Sequence, residues 1–285
     1  MSLDTLPSLG LAALSSAAPL GLAAVGGFAT ESAGSLSIAL EGCMLAGAFS
    51  AAAVGRATGD AALGMAAGAM AGLLLSSLVG ALALGLGADV FVVGLAVNIL
   101  APGAVSMVSQ AAYGTKGVLS AEALRAGELR ILALLAAAAL LLAFFLSRSV
   151  FGLRLRVAGA GDEVAKAAGI ASGPYRYAAH LIAGASSGLA GAALAAGIGA
   201  YVPGMSTGRG WIALVAVFLG GRRPGGALLA SLLFGLLFAL ANLAQGIGFP
   251  GAASGAELLQ AVPYAATAIA LVAWRRAKRG REGRT

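Results

Sequence analysis

Two carboxylates stand where a carboxylate is expensive. Glu31 lies in FATESAG and Glu41 in IALEGCML, each embedded in apolar sequence. A charge at the centre of a membrane helix costs at least about 2.5 kcal/mol, so such a residue faces a bundle interior or water. Glu31 suits either a loop or helix-cap position between two spans or a place beside a polar substrate. Glu41 suits two roles equally: accepting backbone or serine hydrogen bonds at a broken helix, or lying near substrate. Asn98, in VVGLAVNILAPG, is a mid-span amide followed by Pro102. Asn242 and Gln245 sit late in another apolar run. Amides at membrane depth bind polar substrate groups or bridge helices. The stretch YVPGMSTGRG (201–210) breaks a helix with Pro203, Gly204, Gly208 and Gly210 and offers Ser206, Thr207 and Arg209. Irregular backbone at that depth is tolerated only inside protein or beside a water-filled cavity. It reads as a cavity lip or gate, or as a structural re-entrant turn. Glu31, Glu41, Asn98, Ser206, Thr207, Arg209 and Asn242 are therefore the candidate pathway or gate residues.

All of this chemistry is non-covalent. No HExxH, GxSxG or Walker sequence is present, so nucleotide chemistry must come from another chain. His180, the single histidine, follows Tyr175, Arg176 and Tyr177 at the start of an apolar segment and reads as interfacial. Cys43, the single cysteine, permits no intrachain disulfide and no cysteine-rich metal site. The chain holds no cofactor or metal site of its own and reads as a non-enzyme.

The elements that must position these residues are membrane helices. Of 285 residues, 60% are hydrophobic and 10% charged. A soluble domain carries about 25% charged residues. Apolar runs cover residues 6–29, 36–54, 61–84, 90–110, 131–146, 178–200, 211–220, 226–245 and 261–274. A span needs about 20 residues, so 211–220 is too short to cross alone. The expected fold is all-α: a polytopic membrane bundle of about eight or nine transmembrane segments with re-entrant or broken helices. Residues 1–285 form one transmembrane domain with no room for a separate soluble module. The start, MSLDTLPSLG, lacks a basic region, so the first run reads as a retained span.

Net charge is +7, unevenly spread. Six of 18 basic residues lie in the tail 275–285, five in the loop 147–178, and two are Arg222 and Arg223. A basic tail straight after an apolar run fits the positive-inside rule better than nucleic-acid binding. Loop and tail are accordingly expected in the cytoplasm, and 202–210 and 246–260 outside. Lys116, Arg125 and Arg130 weaken the rule for the outward loop 111–130. The N-terminus lies outside with nine crossings, or inside if one early segment is re-entrant. Two glycine-rich stretches, GMAAGAMAG (64–72) and GASSGLAG (184–191), place small residues at spacings of four. Such faces let helices pack closely in lipid.

The central loop, SRSVFGLRLRVAGAGDEVAKAAGIASGPYRY, is a basic, partly helical interruption of an oily chain. It gives a soluble partner something to push on, which favours a driven transporter over a passive anchor.

Three blocks carry a family resemblance. TESAGSLSIALEGCMLAGAF (30–49) resembles a pattern E-x-SG-x-x-x-I-x-LEG-x-M-L-x-GAF. The loop 152–170 begins GLRLRVAG and ends AAGI. PGMSTGRGWIALVAVFLGGRRPGGALLASLLFG (203–235) resembles PGM-x-x-GRGFIALA followed by G-x-x-x-PLGA. Together they look like the permeases of bacterial ATP-binding-cassette importers serving branched-chain amino acids, simple sugars and nucleosides, nearest to the shorter nucleoside permease. Two departures stand out. Ser37, Ile38 and Ala39 replace the branch's Asn-Ile-Gly, and Gly159, Ala160, Gly161, Asp162 and Glu163 replace its Gly-Glu-Asn-Pro-Arg.

The resemblance implies a translocation path for a nucleoside-class substrate, with simple sugars or riboflavin and related flavins as alternatives. It implies a multi-pass protein of the bacterial cytoplasmic (inner) membrane, among lipids, with its C-terminus cytoplasmic. The implied partners are a second, longer permease, a cytosolic ABC ATPase that carries ATP and Mg, and an extracytoplasmic substrate-binding protein or lipoprotein. Residues 159–170 are implied to form the ATPase-coupling helix, with Gly159, Ala160, Gly161, Asp162, Glu163, Ala167 and Gly169 at the contact. An ion-coupled secondary transporter titrating Glu31 or Glu41 is the alternative from another class. Replacing residues 159–165 by a Gly/Ser linker is expected to leave the chain folded and abolish substrate-stimulated ATP hydrolysis by the assembled complex. Full hydrolysis in that variant would refute the coupling assignment.

Overall fold

The computed structural model describes residues 5–125 and 128–246. In hydrocarbon a segment must satisfy its backbone internally, and the apolar runs accordingly become helices. They are α1 (Thr5–Ser32), α2 (Leu40–Thr58), α3 (Ala61–Gly85), α4 (Val90–Tyr113), α5 (Glu128–Arg148), α6 (Val150–Gly159), α7 (Asp162–Ala167), α8 (Ser172–Ile198), α9 (Arg209–Leu219) and α10 (Pro224–Gly246). Among the described residues six helices (α1, α3, α4, α5, α8 and α10) are long and apolar enough to cross a membrane. The all-α polytopic bundle expected from the sequence is therefore what the chain forms. The expected span 261–274 and the basic tail lie outside the described residues.

Helix starts differ from the sequence expectation in two instructive places. α8 begins at Ser172, six residues before the expected 178. Pro174 sits in its first turn, where a missing N–H breaks no helical hydrogen bond. α2 begins at Leu40 instead of 36, because residues 33–39 run as a non-helical strap. The strap is folded by Thr30, whose hydroxyl accepts the Ser37 N–H at 3.2 Å.

The two glycine-rich stretches pack against one another. A Cβ on Gly188 would meet the Gly68 carbonyl and come within 2.9 Å of the Gly72 Cα. Gly184 stands equally close to the Gly72 carbonyl and to Ser76, and Gly47 of α2 lies on Gly188. Helices α2, α3 and α8 thus touch backbone to backbone and form one closely packed block.

The bundle has two recognisable ends. At one, β1 (Leu119–Ser120) pairs antiparallel with β2 (Ala200–Tyr201). There Leu124, in the 3-10 turn Glu122–Arg125, fills the space left by Gly55 and Gly64. At the other end α6 and α7 gather beside the C-terminus of α1 and the start of α8. A large apolar core of α1, α2, α8, α9 and α10 residues, including Leu20, Met44, Ile212 and Phe234, lies between the ends.

Gly188→Ala is expected to destabilise the chain by about 1–3 kcal/mol, since added volume has no room to relax against backbone. Gly103→Ala, with nothing within 4 Å of the added methyl, should be neutral or stabilising by up to about 1 kcal/mol. Thermal unfolding in detergent separates the two.

Candidate functional site

Two helices begin inside the bundle, and their first N–H groups set the problem the site solves. Asn98 lies about 12 Å along α4 from Val90, at 1.5 Å per residue, and it holds the start of α2. That start is therefore deep in the bundle. The residue preceding α2, Ala39, makes no side-chain cap, and neither does Gly208 before α9. A helix start without a cap leaves N–H groups unsatisfied, and in an apolar interior each is costly.

Side chains from neighbouring helices supply both caps. The Asn98 Oδ1 accepts the Gly42 N–H at 2.8 Å, and its Nδ2 donates to the Ile38 carbonyl at 2.9 Å. One amide thus fixes both the start of α2 and the end of the strap. Glu41, in the first turn of α2, accepts the Gly210 N–H at 2.8 Å. The Ser206 hydroxyl and Gly208 N–H lie alongside the same carboxylate. A negative charge at a helix N-terminus is also favoured by the helix dipole. Gly210 is required by this arrangement: a Cβ there would fall 2.6 Å from the Glu41 Cα.

A cavity of about 490 Å³ opens beside the two caps. Glu41, Asn98, Ser206 and Thr207 line it, with the rings of Tyr201 and Trp211. Four of the seven residues singled out by sequence thus come together. Sequence reasoning missed Ser106, Ser109 and Lys116, which also line it. The signal was present: 98, 102, 106 and 109 repeat at helical spacing along one face of α4. The lining holds one carboxylate and one ammonium, the latter exposed, among hydroxyls, an amide and aromatic rings. Such a set can bind a neutral, polar, ring-bearing molecule.

The other three candidates stand elsewhere. Arg209 stacks its guanidinium over the Phe238 ring at 5.4 Å. Asn242 is exposed on α10. Glu31 lies near the end of α1 at the opposite, α6–α7 end and forms an ion pair with Arg222.

The coupling candidates occupy that same end. Gly159 closes α6, Ala160 and Gly161 make the turn, Asp162, Glu163 and Ala167 lie in α7, and Gly169 follows it in the left-handed region at φ 69°. The helix expected over 159–170 is thus confined to Asp162–Ala167. Gly159 cannot join it, because its Cα sits against the Ser32 carbonyl at the end of α1. Asp162 accepts from the Ser172 hydroxyl at 2.7 Å and pairs with Arg176 at 3.0 Å. Ser172 first and Arg176 second hold its carboxyl below the usual carboxylate value, which is about 3.9. A depressed carboxylate contributes fully above that value and is lost only as pH falls through the lowered one. The Asp162 contacts therefore persist throughout the physiological range.

Comparison with known proteins places this geometry in context. The family model described as branched-chain amino acid transport system permease component matches residues 10–277. The nucleoside ABC transporter permease protein NupC of Lactococcus lactis subsp. cremoris is 32% identical over 89% of this chain and 87% of its own length. The guanosine ABC transporter permease protein NupQ of Bacillus subtilis is 32% identical over 90% and 88%. A Haloferax volcanii protein provisionally designated a glucose ABC transporter permease, TsgC13, is 32% identical over 83% and 77%. No solved structure shows a significant match.

Glu41→Gln keeps an acceptor for Gly210 and is expected to preserve assembly while impairing transport. Glu41→Ala strips the cap and should cost about 1–3 kcal/mol. Thermal unfolding and uptake, measured on the same preparations, check both. Unchanged transport in Glu41→Gln would leave Glu41 a purely structural cap.

Proposed function

The chain belongs to the permease components of branched-chain amino acid-type ABC transport systems, and from that premise we propose that it forms the path of an importer for neutral nucleosides. The family membership itself makes it a multi-pass membrane permease. It also retires the ion-coupled alternative.

The observation that carries the substrate reading is the state of the two buried helix starts. A free helix N-terminus is a ready anion site. Here Asn98 and Glu41 already occupy both. Each start thus already carries a polar side chain, and the Glu41 carboxylate beside the cavity disfavours a phosphate or carboxylate there. It offers Ser106, Ser206 and Thr207 for hydroxyl-bearing groups, and Tyr201 and Trp211 for a ring. Aromatic side chains stack on flat rings through dispersion and quadrupole interactions. Its volume lies within the roughly 300–1,000 Å³ of small-molecule sites. A sugar would use the same hydroxyls, and the likeness to TsgC13 keeps that second reading in view.

On this reading the α6–α7 end faces the cytoplasm of the inner membrane, as does the C-terminal tail. Arg148, Arg154, Arg156, Lys166, Arg176, Arg222 and Arg223 then lie on the cytoplasmic side, as the positive-inside rule requires. The β1–β2 end faces outward, where a substrate-binding protein delivers cargo to the cavity. A second, longer permease completes the path. A cytosolic ATPase binds α7, and its ATP and Mg supply the driving force. ATP shifts the permease by binding one of its conformations better than the other. This chain performs no covalent step.

Uptake of labelled guanosine by cells expressing the full system should be abolished by ATP depletion. It should survive collapse of the proton gradient when ATP is maintained. Unlabelled nucleosides should compete, whereas nucleoside monophosphates should not. Competition by glucose alone would move the assignment to the sugar reading.

A further inference from the structure

The cavity and the coupling helix lie at opposite ends of a continuous set of contacts, and one side chain joins its two halves. We infer that Arg176 carries the displacement of α7 to the cavity by way of the strap 33–39. This rests on the proposed role of α7 as the ATPase contact.

Arg176 is in the second turn of α8 and touches three elements. Its Nη2 pairs with Asp162 of α7 at 3.0 Å and donates to the Ala158 carbonyl of α6 at 3.1 Å. Its Nε donates to the Ala33 carbonyl of the strap at 3.2 Å. A guanidinium suits this task because its donors are fixed in one plane, so displacing one partner displaces the others. Its side chain is only 20% exposed, which limits the competition from water. Gly159 lies backbone to backbone on Ser32 and Gly34, so α6 and the strap cannot slide independently. One turn further along α8, His180 Nε2 and the Ser35 hydroxyl are 2.9 Å apart.

The far end of the strap leads straight into the cavity wall, which begins at Glu41 and Gly42. Asn98 holds the Ile38 carbonyl, and three residues later Glu41 holds the start of α9. The other end of α9 is tied to the same region, since Arg222 just beyond it pairs with Glu31 at the end of α1. A displacement of α7 that pulls Arg176 therefore reaches both ends of α9. The strap suits transmission: it is non-helical and only seven residues long. Helix α9 suits being moved, because at 11 residues it does not span the membrane. The backbone-packed middles of α2, α3 and α8, around Gly47, Gly72 and Gly188, would serve as the stator, while the first turns of α2 and α8 follow the strap.

The test uses the complete complex, purified through a tag on this chain and reconstituted in liposomes with its ATPase and binding protein. Nucleoside uptake and ATP hydrolysis are measured on the same vesicles. Arg176→Gln is expected to assemble and to lower the ratio of uptake to ATP hydrolysed at least tenfold. Arg176→Lys keeps the Asp162 pair but not the planar fork, and should recover only part of the ratio. A wild-type ratio in Arg176→Gln overturns the inference, as does a parallel loss of both activities with assembly intact. Should Arg176→Gln not assemble, Asp162→Ala removes the α7 partner of Arg176 together with the Ser172 contact. It must then lower the ratio by a smaller factor, and a wild-type ratio there overturns the inference. Failure of the underlying coupling reading is distinguished by cross-linking. Glu163→Cys in a Cys43→Ser background should form a cross-link to the ATPase, and its absence indicts the role of α7 and not that of Arg176.

Discussion

The polar contacts at the cavity follow from one constraint: a helix that starts inside an apolar interior must have N–H groups answered by side chains from elsewhere. Glu41 answers for α9 and Asn98 answers for α2. The two caps are linked in series, because Glu41 is itself in the first turn of the helix that Asn98 starts. Removing Asn98 would therefore loosen both helix starts, while removing Glu41 would loosen one. This series also dictates the glycines: Gly42 and Gly210 let the capping side chains and the backbone they cap approach closely. The cavity lies where two helices, α2 and the short α9, start inside the bundle and leave polar backbone at that depth.

Much of this was legible in the sequence, because cost leaves a mark there. An expensive carboxylate amid apolar residues, in LEG, announces a buried polar partner. The broken stretch PGMSTGRG announces the partner's kind, since only an irregular segment offers unpaired N–H groups in lipid. What the sequence could not say was which backbone Glu41 would meet. The Gly210 N–H that it accepts is 169 residues away, beyond any local pattern. The glycine stretches were legible for the same reason. Small residues at spacings of four in both α3 and α8 have one economical use, which is to face each other.

The parts that escaped notice are those where local pattern and tertiary context diverge. The start of α8 was hidden by SGPYRY, a polar hexapeptide that reads as loop. It is helical because Pro174 falls in the one turn that tolerates it and because Arg176 has partners on α7, on α6 and on the strap. Those partners are 14 to 143 residues away in sequence, beyond any spacing rule. Glu31 failed to join the cavity for an equally non-local reason. Its neighbour in space is Arg222, at the α6–α7 end, and a carboxylate so paired has no need of membrane depth. Ser106 and Ser109 escaped because serine hides easily in a helix, where it can bond to its own backbone.

The division between fixed and movable parts follows from chemistry of two different kinds. Helices α2, α3 and α8 meet through backbone, where displacement of an ångström produces a clash and where no side chain can rotate to absorb it. Helix α9 meets the rest through a carboxylate and the close approach of Gly210 to the Glu41 backbone at one end, an ion pair just past the other and apolar side chains between. Polar contacts of this sort can be redistributed, and Glu41 already meets Ser206 and the Gly208 N–H as well as Gly210. Interdigitated glycines cannot be. On the proposed reading a transport protein needs a part that stays and a part that goes, and this chain would separate them by contact: backbone packing for the block and directed polar contacts at the start of α9. That placement would let the same polar residues hold the short helix and face whatever occupies the cavity.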